Sequence, residues 1–513
     1  MPPSSFFPES FSDAGNAVFP SPESVIKTSR PRNEIELVNV LRDASRERIL
    51  VTIVGALTGL TGSGVPLESG LRIDMTGLDS LPDHPGYRRI KPFLLISESN
   101  PLRGLVAPGV SLQSLNDALK PLELWYPPHP GETRALIGGN VATNASGPRS
   151  FAFGSTRAYI ESLRVILMDG TILNLHRGRD VAAGKNFSLR AESGIIYSGA
   201  LPDYLLPRVK NAAGLFAEPD MDLIDLFIGS EGILGCFSEI GLRFLPRREI
   251  HSQLFFLPST EAALDLVDEL RTRKAEATRY AVDPHTSGLG ILSLEFFDRN
   301  SLALAKRAGH PVPGTSQAAI EIEWFSGDAI TQNVIERLFQ KSGGIGMLSG
   351  KDAEDFRYAV PRGVADWLKQ HSLPKLGTDF AVPVGSFREM YRFYEQIERE
   401  FCPGSTSVRT ANWGHIGDGH LHFNFLPENM EDVELARRLY LQLVREAIQL
   451  GGTISAEHGV GKKSLADEQG IFRPYLWYLL NDKILHIART KKIFDPDGLL
   501  NRGNMVPASM LIS

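Results

Sequence analysis

The stretch that most restricts how this chain can fold is residues 412–425, NWGHIGDGHLHFNF. An Asp-Gly pair between two alternating runs predicts a two-residue hairpin turn, here Asp418-Gly419, because both central positions need positive φ. Counting outward, Gly417 faces His420, Ile416 faces Leu421 and His415 faces His422. Directly opposed residues hold their β-carbons about 5 Å apart, so two imidazoles there can close on one metal ion. The two-residue period places His420, His422 and Asn424 on one face and turns Leu421, Phe423 and Phe425 into a core.

Residues 451–463, GGTISAEHGVGKK, add a carboxylate and an imidazole side by side at Glu457 and His458. Two histidines and one carboxylate, with water or substrate in the remaining positions, suit zinc or a similar divalent ion, which assigns His415, His422 and Glu457 as ligands. Neighbours on a strand point to opposite faces, so Glu457 and His458 reach one site together only from a turn, which Gly459 and Gly461 allow. The competing reading is a glycine-rich strand pair whose histidines bond backbone carbonyls. The two stretches together, with the glycine-rich motifs below, favour the metal.

A chain of 513 residues exceeds one compact core, so two or more domains are expected. Hydrophobic residues at 42% and charged residues at 22% describe a globular chain and not a disordered one. A net charge of -6 argues against a nucleic-acid partner. Two cysteines, Cys236 and Cys402, make no disulfide framework and fit a reducing cytoplasm. The opening MPPSSFFPESF lacks the basic start and long apolar run of a secretory signal, and no stretch reaches the ~20 consecutive apolar residues of a membrane span. Peripheral membrane contact and a homodimer stay open.

Three glycine clusters punctuate the amino-terminal half. A short helix within 22–43 precedes a β-branched strand at 49–54, which ends in GALTGLTGSGVP. There Gly55, Gly59, Gly62 and Gly64 let backbone amides turn inward as a nest for anionic oxygens. The glycine spacing fits neither a P-loop nor the dinucleotide fingerprint. The second cluster, GGNVATNASG at 138–147, leaves amides bare beside Thr143 and Asn144, so a flat polar ligand can lie against the chain. Strands at 160–168 and 171–175 flank an Asp169-Gly170 turn. The third cluster, IGSEGILGCFSEIGLRFLP, packs Gly229, Gly232 and Gly235 into a tight segment and then a strand.

Together, VGALTGLTGSGVP, IGGNVATNASGPRSFAFGSTR and IGSEGILGCFSEI resemble the three flavin-contacting segments of the vanillyl-alcohol oxidase and p-cresol methylhydroxylase type flavoproteins. GHIGDGHLHFN, SAEHGVG and FDPDGLLNRGNM narrow the resemblance to the D-2-hydroxyacid dehydrogenase branch, which includes D-lactate dehydrogenases, glycolate oxidase large subunits and D-2-hydroxyglutarate dehydrogenases. The resemblance implies an α+β chain. An N-terminal extension at 1–19 leads to a two-subdomain FAD-binding domain at 20–248. An antiparallel-sheet cap with the substrate and metal sites follows at 249–460, and a helical segment at 461–513 packs back on the FAD domain. It places Gly55, Thr58, Gly59 and Leu60 at the pyrophosphate, and Gly138, Gly139, Asn140, Thr143, Asn144 and Gly154 along the isoalloxazine and ribityl side. Glu231, Gly232 and Gly235 fall near the adenosine half, and Asn501 reaches flavin or substrate. Where relatives carry two or three glycines this chain has Gly55-Ala56-Leu57, and the loop holds no His or Cys for a covalent link, which implies noncovalent FAD.

In the cap, residues 259–274 read as an amphipathic helix, and 291–297 and 318–324 as strands with acidic residues on their polar face. Arg357, in FRYAVP, resembles the branch's arginine, whose guanidinium grips a carboxylate with two prongs. Lys375 is a displaced counterpart of the branch's lysine. The implied reaction oxidises a small D-2-hydroxy acid to the 2-oxo acid. A metal on His415, His422 and Glu457 lowers the hydroxyl pKa, His458 takes the proton, and hydride passes to flavin N5, while Asn424, Arg357 and Lys375 orient the substrate. A quinone, cytochrome or electron-transfer flavoprotein then takes the electrons. The rivals are a flavin oxidase of another alcohol, which needs no such metal, and a flavin-binding electron-transfer subunit without turnover. The alkyl-dihydroxyacetone-phosphate synthase type carries adjacent histidines that this chain lacks.

Overall fold

Short β-branched runs build the first layer of the molecule, a computed structural model that describes residues 26–279, 289–404 and 407–511. The extension expected at 1–19 lies outside the described residues. Val51–Val54 and Ile26–Ser29 pair in parallel with the two sides of Gly70–Asp74. The helix Glu34–Arg46 covers this small sheet. Its Asn33 cap accepts from the Glu36 amide, and it buries Leu37, Leu41 and Ala44.

A second, antiparallel sheet follows in the spatial order Tyr87–Lys91, Leu94–Ser97, Arg103–Val106, Cys236–Arg243, Ile160–Ile166 and Ile172–His176. The Asp169-Gly170 turn is one residue longer than a two-residue loop. The Leu167 amide donates to the Thr171 carbonyl, leaving Met168, Asp169 and Gly170 outside, with Gly170 at φ +80°.

The carboxy-terminal half is built on an eight-stranded antiparallel sheet. Its order is Gly346–Ser349, Ile250–Leu257, Ala318–Phe325, Ile291–Asp298, Thr410–Gly414, His420–Phe425 and Leu376–Gly377, with Phe380–Ala381 also pairing with His420–Phe425. One face carries Phe255, Phe296, Ile320, Leu421 and Phe423 into the main core. Each such side chain, when fully buried, contributes about 1.5–3 kcal/mol. The other face is apolar at Leu254, Phe256, Phe297 and Ala319. By the two-residue alternation of a strand, Glu295, Glu321 and Glu323 share that face.

That sharing revises one expectation. The acidic residues of these strands occupy the polar face but not solvent: Glu295, Glu321 and Glu323 are all buried. The helix Lys351–His371 supplies Arg357 to them, and the FAD-binding half supplies Arg149.

The end of the chain returns to the first layer. The Val51 amide donates to the Leu499 carbonyl and the Asn501 amide to the Val51 carbonyl, which adds a parallel bridge to the small sheet. Among the described residues no helix is long and apolar enough to cross a membrane.

Candidate active site

The histidine hairpin differs in register from the expected one. Trp413 pairs with His422 and Asn412 with Phe423, a shift of two residues. Residues 416–419 form the loop, with the Asp418 and His420 amides both donating to the His415 carbonyl. Only Gly419 takes positive φ, +68°, while Asp418 stays in a tight 3-10 turn, so the two-residue turn does not form. A Cβ on Gly419 would meet the Val382 carbonyl oxygen at 2.4 Å. Because strand faces repeat every two residues, a shift of two keeps every side chain on its side. The His415, His420 and His422 rings therefore cluster, with centroids 4.5–5.6 Å apart. Arg271 secures the loop by donating to the Ile416 and Gly417 carbonyls.

Glu457 and His458 come to this face on a turn fixed by two buried carboxylates. Asp379 Oδ2 accepts from the Glu457 and His458 amides at 3.3 and 2.9 Å. Glu231 accepts from the Val460 and Gly461 amides at 2.7 and 2.6 Å. Gly459 and Gly461 hold φ of +75° and +52°, and a Cβ on Gly461 would meet Thr61 O at 2.3 Å. Only glycine passes there.

The Glu457 carboxylate is the centre of the cluster. His415 Nε2 lies 3.2 Å from it, His422 Nε2 3.4 Å and His458 Nε2 3.6 Å, and Lys210 Nζ donates to it at 2.8 Å. Burial opposes its charge, yet Lys210 and His415 hold the carboxyl well below the usual range. Burial also acts to lower His415, but Glu295, bonded to its Nδ1 at 2.7 Å, brings it up to about 9. His458 goes the other way. Burial pushes it down to about 4 against the pull of Asp379 and Glu457, so it is a neutral base at neutral pH.

Of the two cations expected to hold substrate, Arg357 differs from expectation. Arg357 already grips Glu321 at 2.8 and 2.7 Å and Glu323 at 3.0 Å, so its charge is neutralised and not offered to a ligand. Two carboxylates two residues apart on one face of the same strand otherwise repel, which explains why the guanidinium is drawn to them. Lys375 is half-buried and pushed down to about 8, chiefly by desolvation and then by Lys463. It flanks Gly377 together with Asn424: a Cβ there would stand 3.4 Å from Lys375 Cε and 2.5 Å from Asn424 Oδ1. Asn424 Oδ1 is buried without a hydrogen-bond partner.

Gly55, Thr58, Gly59, Gly138, Gly139, Asn140, Thr143, Glu231, Gly232, Gly235 and Asn501 line one cleft with about 920 Å³ of empty space. Asn144 and Gly154 line an adjoining cavity with Lys210 and Asp418, and Leu60 lines neither. A dinucleotide fits the cleft on two grounds. A Cβ at Gly139 meets nothing within 4 Å, so the backbone there faces open space. Asn140 Nδ2 is buried without a partner and waits for an acceptor. The side chains of two of these lining residues are already engaged. The Glu231 carboxylate is engaged by the 460–461 amides, which leaves its backbone to line the cleft. The Asn501 amide accepts from the Ile53 amide at 2.7 Å and donates to the Glu231 carbonyl at 2.9 Å, so it clamps the cleft wall rather than reaching a ligand.

Residues 27–176 match the family of FAD binding domains, and residues 252–505 match the C-terminal domain of FAD linked oxidases. The chain belongs to the FAD-linked oxidase family. This FAD-linked oxidase is 26% identical over 483 residues to a D-lactate dehydrogenase of Archaeoglobus fulgidus, covering 93% of this chain and 90% of that one. It is 27% identical to the glycolate oxidase subunit GlcD of Bacillus subtilis, covering 97% and 94% of the two chains. Among solved structures, an alkyldihydroxyacetonephosphate synthase superimposes with a TM-score of 0.59 at 14% identity, over 92% of this chain and 76% of that chain. That likeness establishes a shared fold.

Three residues of the oxidase's site escape sequence reasoning, Lys210, Glu295 and Asp379, while His420 is placed on the histidine face without a ligand role. Glu295 is one of several acids on an alternating strand, and Lys210 lies in VKNAAGLF, which has no period or motif to mark it. Asp379 lies between the short strands Leu376–Gly377 and Phe380–Ala381, where neither period nor spacing marks it.

Proposed function

We propose that this FAD-linked oxidase removes the hydroxyl proton and the C2 hydrogen of a small D-2-hydroxy acid, giving the 2-oxo acid. The observation that carries the reading is the gathering of His415, His422 and His458 within 3.2–3.6 Å of the Glu457 carboxylate. The substrate class and its hand are supported by relatives named D-lactate dehydrogenase and glycolate oxidase subunit. The FAD domain at 20–248 then serves a cap at 249–460 that carries the cation site, with 461–513 closing the FAD domain.

When bound, FAD supplies the two-electron acceptor for C2, and a divalent ion supplies polarisation of the hydroxyl oxygen. His415, His422 and Glu457 would hold the ion, with Glu295 on the outer nitrogen of His415. Asp379 Oδ2, 3.5 Å from His458 Nδ1, favours the proton on that nitrogen. Nε2 is then the base that takes the hydroxyl proton. Asn424, with its unpartnered Oδ1, and Lys375 beside it give the substrate a polar wall. Lys210 offsets the Glu457 charge and keeps that carboxylate ionised.

Anaerobic D-lactate or glycolate is expected to bleach the flavin of the purified protein, with L-lactate inert. A flavin that no 2-hydroxy acid bleaches would instead leave an electron-transfer subunit without turnover.

A further inference from the structure

His420 stands outside the ligand set read from the sequence, yet it is fully buried, with its ring 5.1 and 4.5 Å from those of His415 and His422. One ligand atom each from His415, His420, His422 and Glu457 lies within 4.8 Å of the others. Donors about 2.1 Å from one ion stand about 3 Å apart when adjacent and about 4.2 Å apart when opposed, so these four close on an ion with small movements.

Each of the three rings has an oxygen beside one of its nitrogens. His415 Nδ1 lies 2.7 Å from Glu295, His422 Nδ1 3.2 Å from the Thr378 carbonyl, and His420 Nε2 3.0 Å from Asp379 Oδ1, a close approach that is not aligned as a hydrogen bond. Nε2 of His415 and of His422 faces Glu457, and both ring nitrogens of His420 are buried with no hydrogen-bond partner. Metal-bound histidines bond an oxygen through the outer nitrogen and give the inner one to the ion, as the His415 and His422 rings are placed to do. An orphaned buried nitrogen is unfavourable until something occupies it. A second grouping, Asp379 with His422 and His458, competes for His422. The Thr378 carbonyl takes its other nitrogen, so one ring cannot serve both groupings.

We propose that this oxidase holds its cation through four protein ligands, His415, His420, His422 and Glu457, and that the ion is a six-coordinate one of the Mn2+, Fe2+ or Co2+ class rather than zinc. The proposal rests on the cation site of the proposed function and deepens it. Catalytic zinc keeps three protein ligands and one open position, which a fourth ligand would close. A 2-hydroxy acid brings two oxygens, its hydroxyl and one of its carboxylate oxygens. Four protein donors and two substrate oxygens fill an octahedron, which the Mn2+ class accepts.

The test uses chelator-stripped, FAD-loaded wild type and His420→Asn, with His420→Gln as the substitute if the first loses its flavin. Mn2+ binding is read from the spin-resonance signal of the free ion, and the imidazole count from X-ray absorption of the loaded protein. The wild type is expected to show three imidazoles and six near neighbours. The variant should show two imidazoles and bind Mn2+ about tenfold or more weakly, with FAD content and melting temperature retained. Two imidazoles in the wild type, or unchanged Mn2+ affinity in the variant, would overturn the four-ligand assignment and leave the function standing. A wild type that binds no divalent ion would remove both.

Discussion

Leu57 holds φ +55° in the loop that lines the flavin cleft. A side chain in the left-handed region crowds the following carbonyl and costs about 1–2 kcal/mol. The loop keeps a glycine-like backbone although the residue is leucine. Leu57→Gly relieves that strain but gives the unfolded chain more freedom, so a net gain of about 0.5–1 kcal/mol in unfolding free energy is expected with FAD in excess. A less stable variant would mean that contacts of the leucine side chain outweigh the strain. At this scale the site was partly legible. Glu457 and His458 stand together before two glycines, and adjacency plus a turn is a pattern a reader can find. Lys210 closes on the same carboxylate from a distant segment, and only folding brings it there.

Elements were more legible in their faces than in their registers. The hairpin is two residues out, but the period of a strand preserved the histidine face. The acidic strands were placed correctly as strands, yet their carboxylates are buried, because whether a polar face meets water or a second domain depends on partners far along the chain. The helix Arg299–Arg307 carries a related consequence. Its cap, Asp298, accepts from the Ser301 amide at 2.7 Å, and burial pushes its carboxyl up to about 7. An unfolded Asp titrates near 3.9, so between about pH 4 and 7 the folded state holds the extra proton and this residue lowers stability as pH rises, by at most about 1.4 kcal/mol per unit. Asp298→Asn keeps the capping oxygen without that titration. Its stability should fall less than that of wild type from pH 4 to 7 and exceed wild type at pH 8, measured by denaturant unfolding. Parallel curves for the two proteins would contradict the assignment.

Across the whole molecule, the chain's end stitches the FAD-binding half together. Lys491 Nζ donates to the Ile233 and Leu500 carbonyls at 3.0 and 2.7 Å and pairs with Asp495, both side chains being about 1% exposed. Removing one partner of a buried pair leaves the other charge without compensation, a loss of about 3–5 kcal/mol. Lys491→Met should therefore lower the unfolding free energy by that amount and weaken FAD retention, whereas a loss under about 1 kcal/mol would show the pair to be solvated. The same stitching brings Glu231 of the FAD-binding half under the turn that carries His458, so cofactor cleft and base share one support.

The central claim is that the cation cluster and the neutral His458 act together on a hydroxy acid beside the flavin. Rapid-mixing anaerobic reduction by D-lactate measures it directly in wild type, in chelator-stripped and metal-restored protein, and in His458→Gln. Stripping and substitution should each slow flavin reduction by about 10²–10⁴-fold with FAD still bound, and added divalent metal should restore the stripped protein alone. Reduction at the wild-type rate without metal, or without the His458 imidazole, would contradict the account.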